Sequence, residues 1–184
     1  MKKALRQNAT TVRIAPLLFL YFVVGYMSIN CVTKTYPETM LDEKPLGFEL
    51  KDADYNMRKL SDFQGKWSIL LFLPDDDERE QFRHVRYLTQ AYEWLKSCDV
   101  EIIWVSSYTT HQLQRIRHRF NVPFTILSDH ERDVSRQYDI SSSTHETYAT
   151  LILDKAGIVR RVIVEKTPAE HAFETLLFFA RMKA

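Results

Sequence analysis

The sequence predicts a mixed α/β domain, a sheet flanked by helices, behind an amino-terminal hydrophobic segment. Three observations predict it. Short apolar runs that suit buried strands alternate with stretches of helical period, and those helices are long enough to serve as crossovers between parallel strands. A late hairpin around Lys155-Ala156-Gly157 then adds an antiparallel edge. At 184 residues with 45% hydrophobic side chains the chain has room for one ordinary core and an appendage.

The appendage comes first. Lys2, Lys3, Arg6 and Arg13 precede an uncharged stretch from Ile14 to Thr33, and no acidic residue occurs before Glu38. That polarity fits a signal anchor, a lipoprotein signal with Cys31 as the lipidated residue, or a cleaved export signal. The stretch is just long enough to span a bilayer, although Pro16, Gly25, Ser28 and Asn30 weaken its ends, and Asn30 suits the lipoprotein pattern poorly. The expectation is a domain tethered through residues 14–33, on the periplasmic or extracellular side of a membrane. Residues 34–45 carry Pro37 and Pro45 without an apolar period and read as a linker, so the domain is 46–184.

Within the domain, Gly47-Phe48-Glu49-Leu50 and Met57-Arg58-Lys59-Leu60 form a short hairpin about Asp52-Ala53-Asp54, ahead of a turn at Gly65. Ile69 to Leu73 is a buried strand. From about Asp76 to Lys96, the spacing of Phe82, Val85, Leu88, Tyr92 and Leu95 is helical. Val100 to Val105 is a second buried strand, Thr110 to Phe120 a helix ending before Val122-Pro123, Phe124 to Leu127 a short strand and Arg132 to Tyr138 a short helix. Thr150 to Leu153 and Ile158 to Val164 pair as the hairpin, and a helix from Pro168 to Met182 closes the chain, with proline in its first turn.

Charge excludes one class of partner. Of 25 basic residues, five precede Thr35, which leaves 20 against 24 carboxylates in the remainder. A mildly acidic domain does not suit nucleic acid, whose binding is dominated by phosphate neutralisation. The two cysteines, Cys31 and Cys98, lack the spacing of a metal or redox pair, and the six histidines show no metal-ligand spacing. Each histidine reads as a surface or satisfied core residue, and neither a metal nor another cofactor is expected.

Several segments carry a family likeness. Leu60-Ser61-Asp62-Phe63-Gln64-Gly65-Lys66-Trp67 followed by Ile69-Leu70-Leu71-Phe72-Leu73-Pro74, then Phe120 to Asp129 with Val134 to Tyr138, then Ala149 to Gly157, resemble in order and spacing the peroxiredoxin and redoxin (AhpC/TSA) branch of the thioredoxin-like superfamily. The likeness runs from about Leu46 to Ala184. It implies a thioredoxin-like mixed sheet, with a redox cysteine in the turn or first helical turn after the Ile69 strand. Here that turn reads Pro74, Asp75, Asp76, Asp77, Glu78, with no thiol.

The carboxylates suit an N-cap and first helical turn, where the helix dipole favours negative charge. They lack the alternating pattern of a calcium loop. A second family position abuts the reactive sulfur, two residues before Thr150, where the resemblance implies a cis proline or an arginine. It is Tyr148 here, and a neutral phenol cannot hold a thiolate as an arginine does. Cys98 follows a helix of about 20 residues, roughly 30 Å long, and is expected at the far end as a small buried hydrophobe.

These losses lead to an expectation of a tethered redoxin-like accessory or partner-binding module without thiol chemistry. The alternative is a divergent thiol peroxidase or disulfide oxidoreductase of the AhpC/TSA type. Ser128-Asp129-His130 reads as a turn, since adjacent residues cannot form a nucleophile, base and orienter. Arg115, Arg117, His118 and Arg119 complement a helix C-terminus, with an acidic partner as the other reading. Tyr87, Ala91 and Trp94 make a second apolar stripe on the first long helix, and Phe178 and Phe179 widen that of the last; the stripes read as a wide core contact or, in the alternative, as a candidate partner surface of Tyr87, Trp94, Phe178 and Phe179.

Overall fold

Seven strands form a single sheet in the order β2-β1-β5-β4-β3-β6-β7 in a computed structural model that describes residues 40–73, 78–140, 148–164 and 167–183. The strands are β1 (Glu49–Asp52), β2 (Met57–Lys59), β3 (Trp67–Phe72), β4 (Val100–Ser106), β5 (Thr125–Ser128), β6 (Ala149–Leu153) and β7 (Val159–Val164). The helices are α1 (Glu78–Ser97), α2 (Thr110–Phe120), α3 (Asp133–Gln137) and α4 (Pro168–Lys183). The thioredoxin-like mixed sheet flanked by helices is therefore present, and predicted and observed ends differ by a residue or two.

The three central strands β3, β4 and β5 are parallel, as their helical crossovers require, while β6 joins β3 antiparallel and β1 joins β5 antiparallel. Because β3 and β4 are covered on both sides, they read as nearly unbroken apolar runs. Side-chain alternation separates two cores. Ile69, Leu71, Ile102, Trp104 and Ile126 face α1, α2 and α4, whereas Leu70, Phe72, Ile103, Val105 and Leu127 face Val134 and Tyr138, at α3 and its end.

Local chemistry fixes the helix ends. Thr109 accepts from the Gln112 backbone N–H at 3.4 Å while Gln112 Oε1 accepts from the Thr109 N–H at 2.9 Å, a reciprocal cap for α2. At its other end Asn121 takes φ 48°, a left-handed conformation asparagine tolerates. Buried Asp129 accepts from the backbone N–H groups of Val134 and Ser135 and from the Ser135 hydroxyl, at 3.1, 2.8 and 2.6 Å. The Ser128-Asp129-His130 turn thus starts α3, with no base or nucleophile arrangement about Asp129.

Part of the stretch expected as linker is docked. Met40 is buried in the core on the α3 side of the sheet. The Asp42 N–H donates to the Val159 carbonyl at 2.8 Å, and the Val159 N–H donates to the Glu43 carbonyl at 3.0 Å, so this strap pairs with the start of β7. Arg160 binds it too, reaching Asp42 and Asp154 at 2.8 Å each.

Candidate functional site

Strand register brings two distant parts of the chain to one edge of the sheet. Phe72 lies opposite Ala149 and Leu71 opposite Thr150, so Tyr148, just before β6, stands beside the exit of β3. Pro74, Asp75, Asp76 and Asp77 lie outside the described residues, as does the side chain of Glu78, whose backbone opens α1. Tyr148 is half-buried, its ring 6.1 Å from that of His171.

Behind this edge sits a polar cluster enclosed by apolar packing. His84 on α1, His171 and Thr175 on α4, and Thr150 on β6 are all wholly buried. Thr150 Oγ1 and His171 Nδ1 are hydrogen-bonded at 2.9 Å. The His84 and His171 rings are 5.4 Å apart, centroid to centroid. Burial, with a smaller contribution from the His171 charge, lowers the His84 pKa to about 3. His84 is thus a neutral imidazole at ordinary pH, and neither ring nitrogen has a hydrogen-bond partner among the described residues.

His171, buried and satisfied at Nδ1 by Thr150, is a core residue as expected, whereas His84 corrects the expectation of a surface or satisfied core position. His84 falls on the same helical stripe as Leu88 and Leu95, and that placement on an apolar face was the available signal. Chemically the cluster offers hydroxyl and imidazole groups, His84 among them in its neutral form, and no thiol. Among the described residues no group of three or more His, Cys, Asp or Glu is placed to hold a metal ion.

Cys98 lies at the opposite end of the domain's first helix. Its backbone N–H donates to Trp94 and Leu95 carbonyls where α1 ends, and its half-buried side chain packs on the core. Cys98 thus stands beside the start of β3, where the Trp67 N–H donates to the Asp99 carbonyl, and the six residues of that strand put roughly 20 Å between it and the exit of β3. Cys31 lies outside the described residues.

The candidate partner surface is largely an internal contact. Phe179 is only 2% exposed and belongs to the core, and Trp94 and Phe178 are half-buried against it. Trp67 explains this: its ring meets Phe178 at 5.7 Å and Phe179 at 5.9 Å, edge to face, so the start of β3 claims the second stripe of α4. Tyr87 alone of the four is exposed. From the basic end of α2, Arg117 turns away to bind Asp54 through both terminal nitrogens, at 2.6 and 2.7 Å.

Comparison with known proteins follows the same outline. Residues 42–162 match the model of the AhpC/TSA family. Peroxiredoxin Q, chloroplastic, of Triticum aestivum is 30% identical over 136 residues, which is 72% of this chain and 63% of that protein. The chain thus spans somewhat under two thirds of that relative's length. The protein of the same name from Sedum lineare is 28% identical over 143 residues, covering 76% and 77% of the two chains.

Among solved structures, peroxidoxin BcpB from Mycobacterium tuberculosis superposes with a TM-score of 0.71 at 16% identity, over 78% of this chain and 98% of that one. A PrxQ variant from Xylella fastidiosa gives 0.69 at 15% identity, over 74% and 90%. At such identities these structures speak for the fold alone. The expected membrane-anchored, non-cytoplasmic placement is corrected. No helix among the described residues is long and apolar enough to cross a membrane, and the plant relatives are named chloroplastic proteins. The stretch on which that expectation rested, residues 14–33, lies outside the described residues.

Proposed function

Since this chain belongs to the AhpC/TSA family, we propose that it is a redoxin-fold module that binds a partner or ligand at the family's active end without thiol chemistry there. The observation that carries this reading is the position of sulfur. Residues 74–83, which follow β3, contain no cysteine. Cys98 lies past the far end of α1, at the opposite end of β3. Reduction of a peroxide by this family's chemistry begins with thiolate attack on a peroxide oxygen, and a sulfur that far from the β3 exit cannot share its surroundings. The supports at that end, Thr150, His171 and neutral His84, offer hydroxyl and imidazole groups and no thiol.

A second reading is a thiol peroxidase of the peroxiredoxin Q kind, and the names of the relatives favour it over the first. It requires Cys98 or Cys31 to act as the nucleophile. Hydroperoxide consumption by the full chain with a dithiol reductant decides between them. The first reading expects no rate above that of the reductant alone. A rate that Cys98→Ser or Cys31→Ser abolishes establishes the second and removes the first.

A further inference from the structure

Two adjoining clefts open on the helical face of the sheet, where the early turns of α1 meet the end of α2. One, of about 630 Å³, is lined by Phe82, Arg83, Arg86, Thr89, Arg119 and Phe120, among others. The other, of about 690 Å³, shares Arg119 and Phe120 and continues over Arg115, Ile116 and His118. Among the described residues that line them there is no carboxylate. Both volumes fall in the range of small-molecule sites.

The shared floor is aromatic. Phe82 and Phe120 stack with centroids 3.8 Å apart and planes 25° from parallel, and the Arg119 guanidinium lies 5.0 Å from the Phe120 centroid. Around it stand arginines whose charge is not spent on a described carboxylate, unlike four others of the domain. Arg117, Arg136, Arg160 and Arg161 all engage carboxylates. Arg86, Arg115 and Arg119 form no ion pair with any described residue.

Dipole compensation accounts for Arg119 and His118 at the end of α2, but not for Arg86 in the first half of α1, where that field gives a cation no advantage. A domain with more carboxylates than bases has gathered these cations around an apolar trough. We propose that this groove binds an amphiphilic organic carboxylate, its planar or acyl body laid over Phe82 and Phe120 and its head held by Arg86 and Arg119, which line the same cleft. Guanidinium suits this task because it pairs with carboxylates in a planar fork and also stacks on aromatic faces. The site stands on its own residues, so it holds whether or not a cysteine of the chain reduces peroxide.

Calorimetric titration of the full chain with 2-naphthoate, 2-naphthamide and acetate tests it. Saturable binding of naphthoate is expected, weakened by salt, with the amide and acetate about tenfold weaker or worse. Arg119→Glu and Arg86→Glu each weaken naphthoate by about fivefold or more, while Arg161→Glu, on β7, leaves it unchanged. Equal affinity for acid and amide overturns the proposal. So does indifference to both charge reversals, or an acidic peptide carrying one phenylalanine that binds about tenfold more tightly than naphthoate.

Discussion

The imidazoles of His84 and His171 face one another across the α1–α4 interface at 5.4 Å, both wholly buried. The burial of His84, with a smaller contribution from this contact, makes the domain sensitive to acid. His84 has a pKa of about 3 when folded against 6.5 when free, so below pH 6.5 the unfolded chain takes up a proton that the folded chain refuses. Stability is full above about pH 6.5 and falls as the pH drops towards 3. At about 1.4 kcal/mol per unit, the loss by pH 4.5 reaches about 2–3 kcal/mol. Urea unfolding of the wild type and of His84→Leu at pH 7 and pH 4.5 checks this, and the variant should show the shallower acid limb.

Thr150→Val removes the hydroxyl that meets His171 Nδ1 while keeping the side chain's shape. A buried ring nitrogen then loses its partner, and the expected cost is about 1–3 kcal/mol. Equilibrium unfolding measures it. A change within the error of the method would mean that the bond contributes nothing net.

Asp129→Ala strips three donors of their acceptor at the start of α3. The expected loss is about 2 kcal/mol, with Asp129→Asn intermediate because one amide oxygen still accepts. Amide exchange at Val134 and Ser135 should accelerate before the rest of the domain does.

Phe179→Ala opens a cavity where Trp67, Phe178 and the α1–α4 core meet. A cost of about 3–4 kcal/mol is expected in the same unfolding assay. Tyr87→Ala, at an exposed position, should change stability by less than about 0.5 kcal/mol. If the two variants behaved alike, Phe179 would be a surface residue after all.

Local pattern carried the architecture. The apolar run in β3, the 3.6-residue spacing in α1 and the turn chemistry at Lys155-Ala156-Gly157 each depend on neighbours in sequence, and each is found close to where it was expected. The polar cluster was illegible for the opposite reason. His84 looks unremarkable until α4 brings His171 across to it, and nothing local reports that meeting. The groove has the same origin. Arg119 reads as a helix end by itself, and becomes part of a cationic trough only when folding sets it beside Phe82, Arg83 and Arg86. For Phe178 the wide core contact was legible in the stripe, but its partner was not, because Trp67, far off in sequence, is what covers it.

The strap over the start of β7 limits how molecules of this protein can join. An outermost strand ordinarily offers its free backbone groups to a neighbour's strand. Here Val159 already exchanges hydrogen bonds with Asp42 and Glu43 of its own chain, and the opposite margin is β2, only three residues long. Extension of the sheet between copies is therefore closed at Val159 and has little length to use at β2, so a shared sheet would have to form along residues 160–164.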